Sequence, residues 1–240
     1  MEPIITKYGE TNPEYVWACI NNIDDLFNCN IAFIENRLSL SFYHYGKLNA
    51  DSEPLINDLV KLHQYKVFTI GGQGSLLEYD KFINKTWIDL ETGELCGNWF
   101  CSIEQKPYLS CFIKKSYLKK LIKYFNNLNF NNINDGIKYI ITTPSEMITN
   151  LDNNICTYTV TREKCYKNKD ININNSSWEE PTSIKTCFSY NNYLNIFNFN
   201  NFQKIKNIFK KKYIYLDLTT NNYGSTISVE KILLNFFENI

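Results

Sequence analysis

Residues 95–125 read LCGNWFCSIEQKPYLSCFIKKSYLKKLIKYF. Two strand-like pieces, 95–103 and 108–113, stand almost end to end, and a helical piece, 116–127, follows at once. In the latter, Leu118, Leu121, Ile122 and Phe125 recur every three or four residues, the spacing that lines one face of an α-helix. Ser116 stands where an N-cap hydroxyl belongs. Another strand-like piece, 86–90, precedes the stretch, and Thr92-Gly93 is a corner suited to a hairpin turn. A β-rich middle with helices before and after it points to an α+β fold rather than to regular βαβ alternation.

The flanks fit that frame. Asn12-Pro13 opens a helix, an N-cap followed by proline at the first helical position, with Val16, Trp17, Ile20, Ile23 and Phe27 on its apolar face. Residues 37–43 alternate, Leu38, Leu40 and Phe42 against Ser39, Ser41 and Tyr43, as a half-buried strand does. A second helix starts near Ser52, carries Pro54 in its first turn, and shows Leu55, Ile56, Leu59 and Leu62 as its stripe. Residues 66–70 form a short strand. Residues 136–143 form another, stopped by Pro144, and 156–162 one more. Residues 168–181 are polar and read as a loop. The stretch 192–212 gives one or two helices, 213–218 a strand, and 228–238 an amphipathic C-terminal helix. The expectation is a single unit over 1–240: a mixed, largely antiparallel sheet with three to five helices packed on it. A subdomain boundary, if there is one, falls at 144–154. The helix from Ser52 should join strands 37–43 and 66–70 as parallel neighbours by a right-handed crossover.

The chain carries 25 basic and 25 acidic residues, so it lacks the net positive charge by which nucleic-acid binders neutralise phosphate. Its one basic run is 204–212, with Lys204, Lys206, Lys210, Lys211 and Lys212 beside Phe197, Phe199 and Phe202. That mixture suits a single-stranded nucleic acid. It equally suits a helix whose last turn complements its own dipole. Asn, Ile, Lys, Tyr and Phe abound and only Arg37 and Arg162 are arginine, the composition an AT-rich genome writes in protists, low-GC bacteria and large DNA viruses. None of the eight cysteines forms a C-x-x-C pair, and only two histidines are present. Reduced thiols, no structural metal and no cofactor are therefore expected. The N-terminal segment reads as no secretory signal, and no apolar run reaches the ~20 residues of a membrane span. These readings place the protein in the cytoplasm, the host's if it is viral.

Motifs for catalysis are few. Gly71-Gly72-Gln73-Gly74 follows a strand but lacks the Lys-Ser/Thr of a phosphate loop, and the spacing of a dinucleotide fingerprint. It reads as a tight turn using glycine's freedom at positive φ. His63 lies on a helix and carries no signal. His44 stands at a strand end, where loops held on a rigid scaffold collect function, and imidazole shuttles protons near neutral pH.

The residues Ser41-Phe42-Tyr43-His44-Tyr45-Gly46, Glu53, Val67-Phe68-Thr69-Ile70 and Gln73-Gly74 together resemble a domain family of unknown function found mainly in actinobacteria. That family has a strand ending in a His-Gly turn, an acidic residue opening a helix, and a G-F-x-T-T-x-S-Q-P-G segment. Residues 106–112 resemble its Q-R-A-x-V-x-G-F strand, 116–125 the helix after it, and 213–224 its closing strand. His44, Glu53, Thr69 and Gln73 fall on matching positions. Gly72 replaces the Ser, Gly74 the Pro, and Lys66 the Gly before the strand. The resemblance implies a place and no reaction.

Two functional readings stay open. The first is a binding or interaction protein, virus-encoded, with a polar cleft around His44 and the Gly71–Gly74 turn and a protein or small molecule as partner. The second is an enzyme acting on a small molecule or nucleotide, with His44 as general acid/base, Gln73 orienting substrate or water, Glu53 orienting the imidazole, and Thr69, Gly72 and Gly74 around them.

Overall fold

The computed structural model describes residues 13–39, 41, 43, 50–83, 87–88, 95–96, 99–128, 136–149, 157–166, 183–186, 189–197 and 202–240. The fold is α+β. Its centre is a five-stranded sheet in the order β1 (Phe68–Gln73), β6 (Tyr108–Lys114), β11 (Tyr213–Thr220), β7 (Ile137–Thr142) and β8 (Met147–Thr149). A second sheet has the order β10 (Ser183–Thr186), β9 (Thr157–Tyr166), β5 (Trp99–Gln105) and β2 (Leu76–Ile83). β3 (Trp87–Ile88) pairs with β4 (Leu95–Cys96).

Every described pairing is antiparallel. The expected parallel crossover is therefore absent among the described residues, and 37–43 supplies no strand there. Asn36 closes the preceding helix at φ 57, and the Arg37 and Leu38 N–H groups turn back onto the Ala32 carbonyl, at 2.8 and 3.0 Å. Donors committed to a helix end are withdrawn from a ladder. The described residues of that stretch, 37–39, 41 and 43, lie outside any strand, with Leu38 and Ser41 buried.

Seven α-helical segments occur among the described residues, against three to five expected: α1 (Pro13–Cys19), α2 (Ile23–Ile34), α3 (Ile56–Gln64), α4 (Leu118–Asn126), α5 (Tyr190–Tyr193), α6 (Gln203–Lys212) and α7 (Val229–Glu238). The N-terminal helix is broken because Asn22 caps a new one, its side chain accepting from the Asp25 N–H at 2.9 Å. Ser116 caps nothing. It lies inside a 3-10 turn, Lys115–Tyr117, that leads into α4. The 168–181 loop and the Thr92-Gly93 corner lie outside the described residues.

Helices cover both faces of the five-stranded sheet. On one, Phe112 meets Phe209 of α6 at 5.1 Å and Tyr190 of α5 at 6.3 Å, and Phe68 meets Phe27 of α2 at 5.3 Å between ring centroids. On the other, Phe125 of α4 packs on Tyr139 at 5.2 Å, and Tyr124 on Phe236 of α7 at 5.4 Å. β11, paired on both edges and covered on both faces, is buried along its whole length.

The chain passes between the sheets at two neighbouring places, Gly74-Ser75 and Lys106-Pro107. Gln73 Nε2 donates to the Lys106 carbonyl at 3.0 Å, Thr219 Oγ1 to the Pro107 carbonyl at 3.0 Å, and the Gly224 N–H to the Gln105 carbonyl at 2.9 Å. Gly224 sits at φ 65, and a Cβ there would overlap the Leu77 side chain. The left-handed backbone favours glycine, and any Cβ would push the Leu77 side chain aside.

Candidate functional site

The sequence-flagged group is only partly described, because His44 lies outside the described residues. Glu53 is exposed on the 3-10 turn Ala50–Leu55. Its neighbour Ser52 donates to the Gly72 carbonyl at 2.9 Å, which docks that turn on the outer edge of β1. Gly71 and Gly72 are strand residues. Among the described glycines the left-handed backbone belongs to Gly224, so Gly71–Gly74 is not the positive-φ turn the sequence suggests.

The register of β1 separates the rest. A bulge between Thr69 and Gly71 leaves Thr69 opposite Cys111 but Gln73 opposite Tyr108. Cys111 and Tyr108 are odd-spaced on β6, and successive side chains of a strand point to opposite faces. Thr69 and Gln73 therefore lie on opposite faces of the sheet and do not share a pocket. Gln73 is 8% exposed and its amide ties the two crossovers together. Gln73→Ala should lower stability by about 1–2 kcal/mol, the scale of a buried hydrogen bond, visible as a lower urea midpoint. A midpoint equal to wild type would detach Gln73 from the junction.

His63 turns out to be a core residue. It is 2% exposed, between Phe27 and Phe68 at 5.5 and 6.0 Å. Nδ1 lies 2.9 Å from the Leu59 carbonyl, which can only accept, so Nδ1 carries the proton. Nε2 then accepts from Asn30 Nδ2 at 2.8 Å. Asn30 also donates to the Thr69 carbonyl at 2.9 Å and accepts from Tyr43 O–H at 2.7 Å. Burial pushes His63 down to about 4. The imidazole is neutral at physiological pH and fully engaged, which suits a structural role. Asn30 and Ser52 together occupy carbonyls on the outer edge of β1, one of the ways sheets blunt an edge.

The buried thiols are equally quiet. Burial, with Asp25 close by, pushes Cys29 up to about 12, and burial, Asp217 and Glu230 push Cys111 well above its ordinary value. Nucleophilic thiols need the reverse shift. Among the described residues no cluster of His, Cys, Asp or Glu gathers as a metal site would require.

The sequence missed a cleft of about 690 Å³ in which Lys66, Lys114, Lys115, Lys211 and Lys212 face one carboxylate, Asp24. Four parts of the fold build it. Asp24 stands in the first turn of α2, and Lys66 in the turn between α3 and β1. Lys114 ends β6, Lys115 opens the 3-10 turn after it, and Lys211 and Lys212 end α6. Ile23, Ile208 and Tyr213 supply its apolar surface. Lys66 Nζ pairs with Asp24 Oδ1 at 2.9 Å. Burial, then Asp24, pushes Tyr213 up to about 12, so its phenol stays protonated. Part of this was visible as the basic run 204–212, which the structure places on α6. What the run lacked was Lys66 and Lys114-Lys115, distant in sequence.

No protein-family model matches the chain, and no curated protein matches it. Among the described residues no helix is long and apolar enough to cross a membrane.

Proposed function

We propose that this is a binding protein whose ligand is anionic and seats in the lysine cleft between the start of α2, the end of α6 and the end of β6. The observation that carries this reading is the gathering of five lysines around one carboxylate, in a chain whose total charge is zero. Like charges brought together from four elements repel one another. A cleft lined by one sign focuses field and concentrates counter-ions. The volume lies in the range of small-molecule sites, about 300–1,000 Å³, and the apolar patch supplies contact area beside the charges.

Calorimetric titration with inorganic tripolyphosphate tests it. Saturable binding at one site is expected, weakening as salt is raised. The double variant Lys114→Ala/Lys211→Ala should lose at least about tenfold in affinity, since charge-assisted hydrogen bonds are worth about 1.5–3 kcal/mol each. Lys211 is exposed at the end of α6 and Lys114 half-buried at the end of β6, and truncation to Ala leaves both backbones in place, so the melting temperature should hold. Absence of binding by wild type at low salt would sink the reading.

A further inference from the structure

Lys66 occupies a backbone position that disfavours it. Its φ is 60, and among the described residues the other non-glycine at positive φ is Asn36, a residue type that tolerates the left-handed region. Lys66 directly follows Tyr65, the C-cap of α3, and its N–H closes on the His63 carbonyl at 2.9 Å. Helices commonly end with glycine at this place, because glycine adopts the conformation without a Cβ penalty. A lysine held there needs a reason.

The fold supplies a weak one. The ammonium pairs with Asp24, but the two side chains are 45% and 73% exposed, and exposed pairs contribute little. The same ammonium lies 5.4 Å from the ring centroid of the buried Phe27, a contact worth about 0.5–1 kcal/mol when the cation is exposed. What glycine could not do is place a fifth positive charge in the cleft. A local rule broken without a structural gain is the pattern expected of a functional residue.

Asp24 gives the second observation. Among the described residues it is the one carboxylate lining a cleft of five lysines, and it pairs there with Lys66 and not with the other four. A carboxylate fixed in place competes for Lys66 at a high effective concentration. A single phosphate must beat it for one ammonium and gains few others. A chain of linked phosphates reaches the lysines of β6 and α6 at the same time, and so displaces Asp24 at a net gain.

Resting on the anion-binding reading above, we propose that Lys66 is the specificity-determining residue of the cleft, that Asp24 is its built-in competitor, and that the ligand is a compact polyphosphate. The shared chemistry is two or more linked phosphates, whether in a nucleoside triphosphate or in inorganic polyphosphate. A confined cleft with its charges on all sides suits a short chain rather than a long strand, for which a basic groove tracking the backbone is the usual form.

The experiment is a set of titrations with orthophosphate, tripolyphosphate, ATP without divalent metal, and a thymidine oligonucleotide, on wild type, Lys66→Gly, Lys66→Gln and Asp24→Asn. Wild type should prefer tripolyphosphate or ATP over orthophosphate by at least about tenfold, the scale of one added charge-assisted contact. A tighter ATP arm points to a nucleotide, an equal one to the phosphate chain alone, and either supports the proposal. Lys66→Gly should melt at or above the wild-type temperature yet lose about tenfold for tripolyphosphate. Lys66→Gln keeps the side-chain stem and should lose as much. Asp24→Asn should tighten orthophosphate more than tripolyphosphate, narrowing the preference. Lysine-66 variants that bind like wild type overturn the proposal, as does an Asp24→Asn variant with unchanged preference, or a Lys66→Gly variant that melts lower. Tighter binding of the oligonucleotide than of tripolyphosphate overturns it too, in favour of an open strand site. If wild type binds none of the four, the anion-binding reading itself has failed, which the variant results would not show.

Discussion

Glu230→Gln should stabilise the protein by about 3 kcal/mol at pH 8 and by almost nothing near pH 4.5. Glu230 is fully buried in the first turn of α7. One carboxyl oxygen accepts from Ser228 O–H at 3.1 Å, while Oε1 is buried with no hydrogen-bond partner. It faces β1, where a Cβ on Gly72 would stand 3.9 Å from it. The charged or titratable groups acting on it from neighbouring elements are Asp58 of α3 and Cys111 of β6. A helix N-terminus favours a carboxylate by roughly 0.3–1 kcal/mol, but desolvation outweighs it and raises the carboxyl to about 7. In the unfolded chain the group titrates near 4.5. Between these values the native state holds a proton that the unfolded state has released. The stabilisation from the protonated form is therefore complete below about pH 4.5 and lost as pH rises through 7. The difference is worth about 1.4 kcal/mol per pH unit. A neutral amide of the same shape removes that loss. Urea unfolding from pH 4 to 8 measures it, and equal midpoints for variant and wild type at pH 8 would refute it.

His63 acts on the same window with the opposite sign. Its folded value, about 4, lies below the 6.5 of the unfolded chain. The stability it lends is complete above about pH 6.5 and lost as pH falls through 4. The two slopes nearly cancel, so wild type should show a flat profile between about pH 4.5 and 6.5. Glu230→Gln should expose the histidine's acid lability, a decline of about 3 kcal/mol from pH 6.5 to 4.

Where periodicity was local, the sequence predicted the fold well. The strand at 108–113, the helix after it, the strand at 213–218 and the C-terminal helix all stand where their patterns put them. Periodicity failed at 37–39, where the chain leaves a left-handed Asn36 and the Arg37 and Leu38 N–H groups close on the Ala32 carbonyl instead of a ladder. The site was less legible because its determinants are long-range. His63 looked featureless on its helix, since its partner Asn30 lies 33 residues away. A single bulge in β1 moved Gln73 to the face opposite Thr69, which four-residue spacing on a regular strand would not do. The lysine cleft joins single residues and pairs from separate segments, and only the run on α6 was dense enough to notice.

Asn30 is the residue on which those long-range contacts depend most. Its one amide donates to His63 Nε2 and to the Thr69 carbonyl, and its oxygen accepts from Tyr43. Tyr43 O–H also reaches the Thr69 carbonyl, at 3.2 Å, so that acceptor keeps a donor when Asn30 is removed. His63 Nε2 loses its donor, in a pocket walled by two phenylalanine rings. A buried acceptor stripped of its partner costs about 1–3 kcal/mol, and the lost bonds and the small void add to it. Asn30→Ala should therefore destabilise by about 3 kcal/mol and lower the melting temperature by roughly 6–12 °C. Asn30→Ala/His63→Leu removes the orphaned nitrogen along with its donor. Replacing both partners of a buried bond by apolar groups is far milder than removing one, so the double variant should recover part of the loss. In place of the flat wild-type profile it should show stability rising as pH falls from about 6.5 to 4.5, because no imidazole remains to take up a proton on unfolding and the Glu230 slope stands alone. A double variant less stable than Asn30→Ala, or one whose profile stays flat between about pH 4.5 and 6.5, would show that the network's stability does not run through His63.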